Sequence, residues 1–391
     1  MSEWKKVKLG EITESCLGKM LDAAKNRGEY KPYLANLNVR WGSFDTDNLS
    51  LMRFEEDEDE RYGIKYGDLI ICEGGEPGRC AIWKEQLPDM KIQKALHRVR
   101  PKDGLVDNFY LFYWFLLAGK CNWIDQYCTG ATIKHLPGQK LKEVIVDLPP
   151  IEVQHRIATI LSRYDSLIEN YRKQIKLLEE AAQRLYKEWF VELRFPGHEN
   201  TKMVDGLPEG WERKALVDMV DVQYGYAFDG MLFNSDGDGM PILRIRNIPD
   251  GTTSDFTTEE APANYIVHSG DIVVGMDGIF HINSWSGGDA YLVQRACSFR
   301  PKEEGIKGFI FQAIQEPIKF FEKTLVGATV AHLGKKHIDS IELVVPNNHK
   351  FFEAFQTMYI KRQGLLSQIR LLTEARDRLL PRVMGGKMDV K

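Results

Sequence analysis

The sequence predicts an α+β protein in which two copies of one mixed α/β domain are joined by two long helices that pair antiparallel as a coiled coil. Two observations carry this. The first is an internal repeat. TGATIKHL begins at Thr129 and VGATVAHL at Val326, 197 residues apart, and each precedes a strand-like stretch ending in proline, VIVDLPP and IELVVP. The second is a pair of heptad seams. Apolar or aromatic residues fall at Ile157, Leu161, Tyr164, Ile168, Tyr171, Ile175, Leu178, Ala182, Leu185 and Trp189, in steps that alternate four and three. An unbroken alternation of this length asks for a partner helix rather than for packing on one domain.

The elements repeat in order. Trp4 opens WKKVKLGEI and Trp211 opens WERKALVDMV. KPYLANLNV (31–39) matches MPILRIRNI (240–248), which sets Asn38 opposite Asn247. YGIKYGDLIIC (62–72) matches YIVHSGDIVVG (265–275), and QKALHRVRPK (93–102) matches QRACSFRPK (294–302). VDNFYLFYWFLLAG (106–119) reads as a helix; its counterpart IKGFIFQAIQEPIKFFEK (306–323) contains Pro317, which predicts a kink or a break. The second seam runs Phe351, Phe355, Met358, Arg362, Leu365, Ile369, Leu372, Arg376, Leu379, Val383. Its two arginines are expected to snorkel or to face a partner subunit. The expected layout is a domain over 1–150, a long helix over 151–194, a Gly/Pro-rich linker over 195–210, a second domain over 211–347 and a second long helix over 348–391. At about 1.5 Å per residue the 33 seam residues of the first helix give a rod of about 50 Å.

Composition narrows the class. The chain of 391 residues is 43% hydrophobic and 28% charged, as expected for a globular protein of two or three domains. No apolar run reaches the roughly 18 residues that span a bilayer, and the start lacks a signal-peptide apolar region, so a cytoplasmic location is expected. Six scattered cysteines with no C-x-x-C pair argue against a disulfide framework or a zinc site. The net charge is −4, but the run Glu55 to Glu60 alone carries six negative charges, and −4 + 6 leaves +2 for the rest. That run reads as a solvated loop. Bulk charge therefore neither favours nor excludes a nucleic-acid partner.

Catalytic patterns are missing. DLPPIE (147–152) invites comparison with the D-P-P-Y tetrad of adenine methyltransferases, but Leu148 interrupts it and Ile151 replaces the aromatic that stacks on a base. NSDGDGM (234–240) hints at a calcium loop, yet Ile245 stands where a bidentate Glu is needed. His97, His135, His281 and His332 have no metal-ligand spacing. No catalytic residue, metal site or cofactor is expected.

Recognition is what remains. Each Gly-Asp pair leads into a strand, a glycine-rich turn and a strand: ICEGGEPGRCAIW (71–83) and VGMDGIFHINSW (274–285). The DNA-contact candidates in the first copy are Asn38, Glu73, Arg79, Lys94, Arg98, Thr132, Lys134 and His135. In the second copy they are Arg244, Arg246, Asn247, Asp277, His281, Asn283, Arg295, Thr329, His332, Lys335 and Lys336. RIRN (244–247) is read as a strand with Arg244 and Arg246 on one face, where a guanidinium can read guanine or hold phosphate. The hydroxyls and cations of the G-A-T-x-x-H-L line suit phosphate contact; the competing reading is a turn that packs each domain onto its helix.

These residues resemble a known family. LPPIEVQHRIATILSRYDSLIENYRKQIKLLEEAAQRLYKEWF (148–190) resembles the central conserved region of type I restriction-modification specificity subunits. GYAFDGMLFNSDGDGMPILRIRNI (225–248) resembles the start of their target recognition domains, and GDLIICEGGEPG and GDIVVGMDGIF the segment that follows. The resemblance spans essentially the whole chain. It implies a non-catalytic subunit without a cofactor, whose two target recognition domains each read one half of a bipartite double-stranded DNA target. It implies antiparallel helices that set the gap and dock two methyltransferase subunits, which use S-adenosylmethionine to methylate adenine N6, and translocating nuclease subunits where the system restricts. The chain departs from its own repeat where Ala35 and Leu37 stand opposite Arg244 and Arg246, which moves the expected contacts of the first domain to Arg79, Lys94 and Arg98. Two rival readings are a fused restriction-methylation enzyme and a protein-interaction scaffold or mimic acting in phage defence.

Overall fold

The computed structural model describes residues 4–22, 26–324 and 331–388. The chain divides into two compact units, Met1–Leu167 with Leu372–Lys391, and Ile168–Leu371. No helix among the described residues is long and apolar enough to cross a membrane.

In the first unit, strands β1 (Lys5–Lys8), β2 (Thr13–Leu17), β3 (Leu69–Cys72), β4 (Cys80–Ile82), β5 (Leu96–Pro101) and β6 (Ile145–Leu148) form two antiparallel sheets. One has the order β2-β5-β3-β4; the other is the pair β1-β6. β3 reads LIIC and is buried on both faces, as its alternation dictates. Leu69 and Ile71 enter a core with helix α1 (Asn108–Lys120), while Ile70 and Cys72 enter another with Leu34, Trp83 and Ile92. α1 is apolar all round and buried from Tyr110 to Ala118, as a helix without a polar face must be. It starts where the Asp107 carboxylate accepts the Tyr110 N–H at 2.8 Å. Helix α2 (Ile151–Tyr186) begins in this unit: Ile157, Ala158 and Leu161 share a core with Leu380, Val383 and Met384 from the far end of the chain.

In the second unit, strands β7 (Glu212–Ala215), β8 (Val220–Tyr224), β9 (Ile272–Gly275), β10 (Ile282–Ser284), β11 (Ala296–Pro301) and β12 (Glu342–Val345) repeat the plan, with orders β8-β11-β9-β10 and β7-β12. Two helices stand in place of α1: α3 (Lys307–Ala313) and α4 (Gln315–Thr324). The break falls at Ile314, three residues before Pro317. The proline sits in the first turn of α4, where its missing N–H has no carbonyl to satisfy. The chain closes with helix α5 (Lys350–Met384).

Both units also share the Gly-Asp turn. Gly67 and Gly270 hold φ of +85° and +88°. The following aspartates bond back to the chain: Asp68 Oδ2 accepts from Lys65 N at 2.8 Å, and Asp271 Oδ2 from His268 N at 3.0 Å. Trp83 N and Trp285 N then donate to the Asp68 and Asp271 carbonyls, and both indoles are fully buried. The Gly-Asp repeat is thus explained by the turn it builds.

Within each unit α2 and α5 run antiparallel. In the first, Arg376 Nη1 donates to Asp165 Oδ1 at 2.6 Å, beside the Ile157–Leu380 core. In the second, Arg362 Nε donates to Glu179 Oε1 at 2.6 Å, and Trp189 packs on Phe351 and Phe355. Among the seam positions, Ile157, Leu161, Ile168, Ile175 and Leu365 are buried, and Leu178, Leu185, Ile369, Leu372 and Leu379 half-buried. The two seam arginines do not snorkel, nor is a partner subunit needed to satisfy them. Each meets a carboxylate on the facing helix, because a guanidinium at a buried seam position must be paired.

The acidic run leaves four of its six acids exposed, but it is not a loop. It forms a 3-10 turn, Glu56–Glu58, and a short helix, Asp59–Tyr62. Glu58 bonds Lys19, and Asp59 lies 3.0 Å from both Lys31 and Lys91. Burial pushes the Asp59 carboxyl up, but the two ammonium groups outweigh it and hold it below the usual range.

Candidate nucleic-acid interface

In the first unit the β3–β4 hairpin ends in the loop 73–79. The G-A-T-x-x-H-L line is clasped to this loop by its backbone. Thr129 and His135 exchange two hydrogen bonds, and Leu136 N donates to the Glu73 carbonyl at 2.7 Å. Glu73 N in turn donates to the Ala95 carbonyl at 2.8 Å. Buried His97 closes the clasp with Nε2 donating to the Leu136 carbonyl at 2.8 Å, and burial pushes its pKa down. Leu136 itself enters the core that holds Ile157 and Leu161, so the line packs the domain onto its helix, as the second of its two sequence readings has it. Glu73, Lys94, Thr132, Lys134 and His135 are thereby brought to one end of the sheet. Thr132 and His135 are exposed, and Lys134 pairs with Asp125 at 2.7 Å.

The second unit makes the same joints. Leu333 N donates to the Met276 carbonyl at 2.7 Å, and Met276 N to the Arg295 carbonyl at 2.8 Å. Thr329, with most of the second G-A-T-x-x-H-L line, lies outside the described residues. Asp277 stands where the first unit has Gly74 and bonds two side chains: Arg295, and His332 Nδ1 at 2.6 Å. Burial raises the Asp277 carboxyl, but the hydrogen bonds from His332 and Arg295 outweigh it and leave it below the usual carboxylate range. Lys335 and Lys336 follow on the short helix Lys335–Asp339, exposed and without an ion pair among the described residues. His281 ends the loop, half-buried, with its carbonyl accepting from Gly275 N at 2.8 Å.

Strand register corrects one alignment. Leu96 pairs with Cys72, and Ala296 with Gly275. Ala95, at φ +89°, therefore corresponds to Arg295, at φ +72°, and Lys94 to Gln294. Matching the two glutamines by identity displaced that comparison by one residue.

Several sequence candidates are bonded into the scaffold. Arg244 and Arg246 do not share a strand face: the strand ends at Leu243, and a 3-10 turn, Ile245–Asn247, follows. Asn247 Oδ1 accepts from Arg244 N at 2.9 Å, and Asn38 Oδ1 accepts from Ala35 N at 2.9 Å. The repeated asparagine is needed to cap this turn, and Asn38 is buried. The Arg246 guanidinium is already chelated by Asp255, with contacts of 3.1 and 2.6 Å, and Arg244 lies over the Phe233 ring. Arg98 is buried, its Nη1 donating to the Glu60 and Gly63 carbonyls. Asn283 donates to the Ile248 carbonyl at 2.8 Å and accepts from Arg362 Nη2 at 2.8 Å. Arg79 is half-buried and bonded to Asn36 and Glu76. The Asn234 segment is a polar turn, with Asn234 Nδ2 donating to the Asp238 carbonyl.

Two residues that sequence reasoning passed over stand in the same place. Trp41 and Glu76 line a groove of about 550 Å³ between the 73–79 loop and the 129–135 hairpin. Only a lone Trp-Gly step and a Glu-Pro step marked them in the sequence.

The family model for the type I restriction modification DNA specificity domain matches residues 1–180 and 208–369. The MjaIX specificity subunit of a type I restriction enzyme from Methanocaldococcus jannaschii is 27% identical over 346 residues, 83% of this chain and 78% of that protein. The MjaVIII specificity subunit from the same organism is 25% identical over all of this chain and 94% of its own length. The crystal structure of a type I restriction-modification S subunit from M. genitalium aligns over 97% of this chain and 96% of its own, with a TM-score of 0.55 and 17% identity, a likeness of fold.

Proposed function

Because this chain belongs to the family of type I restriction-modification DNA specificity subunits, we propose that each of its two recognition domains, 1–150 and 211–347, reads one half of a bipartite duplex target. The linker 195–210 joins the halves, and the helices over 151–194 and 348–391 set the distance between the half-sites. Those helices dock two adenine-N6 methyltransferase subunits that carry S-adenosylmethionine, and nuclease-translocase subunits where the system restricts. The complex works in the cytoplasm. The chain itself contributes recognition and no chemistry.

The observation that carries this reading is the duplication of the whole domain plan, down to strand order, Gly-Asp turn and clasp. Half-sites on opposite DNA strands are related by a two-fold axis, and a duplicated chain meets that symmetry with a single polypeptide. At about 1.5 Å per residue, α2 is about 54 Å long, which bounds the gap at about 16 base pairs. Exposed Lys335 and Lys336 suit phosphate contacts, as does His332.

The test is to co-express the chain with its adenine methyltransferase partner and map N6-methyladenine across a genome, with and without the chain. A split motif with a constant gap, present only with the chain, is expected. Methylation that ignores the chain, or a motif without a gap, would reject the two-domain ruler.

A further inference from the structure

We propose that Glu76 is a base-reading residue of the first domain, and that it selects a base pair presenting an exocyclic amine, cytosine N4 or adenine N6, in the major groove. The proposal rests on the DNA-reading function above.

Glu76 is held rather than merely exposed. Its Oε1 accepts the Trp41 indole N–H at 2.6 Å, and its Oε2 accepts from Arg79 Nη1 at 3.0 Å. Arg79 Nη2 is bonded in turn to the carbonyl and Oδ1 of Asn36, whose Nδ2 donates to the Gly74 carbonyl at 2.9 Å. The chain of bonds closes on the loop that carries Glu76. Trp41 is fixed from its other side. Its ring lies on Gly119 at the end of α1, where an added Cβ would sit 2.1 Å from Trp41 Cη2. The glycine leaves the space in which the indole rests. The Glu76 side chain is nevertheless 53% exposed, at the mouth of the groove. Each carboxylate oxygen has spent one acceptor site and keeps another for a ligand.

Physical chemistry selects the ligand. A carboxylate accepts and does not donate, so it is repelled by phosphate and gains nothing from the base acceptors. The donors that a duplex offers in its major groove are cytosine N4 and adenine N6. A fixed carboxylate in a domain that must approach a polyanion is therefore suited to these amines and penalises other edges. The second unit has no such group at the corresponding loop tip; Ile279 is there, 61% exposed.

The experiment uses the full chain co-expressed with its methyltransferase partner, carrying Glu76→Ala or the isosteric Glu76→Gln, with the methylated motif read genome-wide. The expected result is that Glu76→Ala relaxes one position of one half-site. That position holds cytosine or adenine on one strand in the parent motif, and the identity found distinguishes the two amines. Discrimination there should fall at least about fivefold, while the other half-site and the gap stay unchanged. An unchanged motif overturns the inference, as does relaxation confined to the other half-site. If Glu76→Ala abolishes all methylation, Glu76→Gln decides: a relaxed or altered base at one position supports the proposal, and an unchanged motif or complete loss with an unaltered thermal melt overturns it. If the parent chain itself directs no split motif, the functional reading fails first, and that outcome is distinct from these.

Discussion

The loop after β3 and the loop after β9 occupy the same place in two copies of one fold, and they carry different chemistry. The first presents Glu76, braced by Trp41 and Arg79; the second presents exposed Ile279 and an Asp277 already occupied by Arg295 and His332. Around them almost nothing differs. The Gly-Asp turn, the buried tryptophan, the asparagine-capped 3-10 turn and the backbone clasp recur with nearly the same distances. Duplication preserved the joints that hold a loop in place and left the loop tips free to diverge. That is the arrangement expected of a reader whose two halves meet different sequences.

Breaking the shared scaffold should cost most. Trp83→Ala and Trp285→Ala each empty a fully buried site and should each lose about 3–5 kcal/mol, measured by urea unfolding. Similar losses are expected; a large loss from only one would show that the two copies no longer depend on the same anchor. The helix pairings come next. Arg362 is more buried than Arg376 and bonds Glu179, Ser284 and Asn283. Arg362→Ala should cost roughly 2 kcal/mol, since it removes a buried guanidinium that bonds three side chains and breaks the tie to β10. Arg376→Ala, whose parent side chain is 21% exposed, should cost less; a reversed order in thermal melts would contradict the burial argument.

Smaller effects sharpen the contrast. Asp271→Ala removes a turn cap and should cost about 1–2 kcal/mol, and Asp68→Ala should cost more, because its buried carboxylate also holds Arg100 through two bonds of 2.7 Å. The least effect is one of pH and, at this loop, arises in the second unit, where Asp277 replaces Gly74. Asp277 has a folded pKa below its unfolded value, so its stabilisation is present above about pH 4 and is lost as the pH falls through the folded value. Asp277→Asn should therefore flatten the acid limb of a urea-midpoint profile, and an unchanged limb would show that the His332 and Arg295 contacts are not kept in solution.

Much of the fold was legible. The heptad steps announced the helices, and the repeat announced the duplication, because both are written as periodic apolar patterns. The candidate site was legible only in outline. The 73–79 loop and the G-A-T-x-x-H-L line lie far apart in sequence, and their clasp is made through backbone atoms that no residue type betrays. Asn38, Arg98 and Asn283 look like contact residues in a string of letters; burial and partner atoms show them to be structural.

The sequence alone determined that one domain is present twice, that two long helices carry apolar seams, and in what order the repeated segments fall. Local periodicity and glycine's left-handed backbone suffice for that. Only the tertiary structure decided that the seam arginines meet Asp165 and Glu179, that Arg246 is chelated by Asp255, and that Trp41 braces Glu76 across 35 residues of chain. A charged side chain's role depends on which opposite charge lies within a few ångströms and how much water is excluded, and neither is local in sequence.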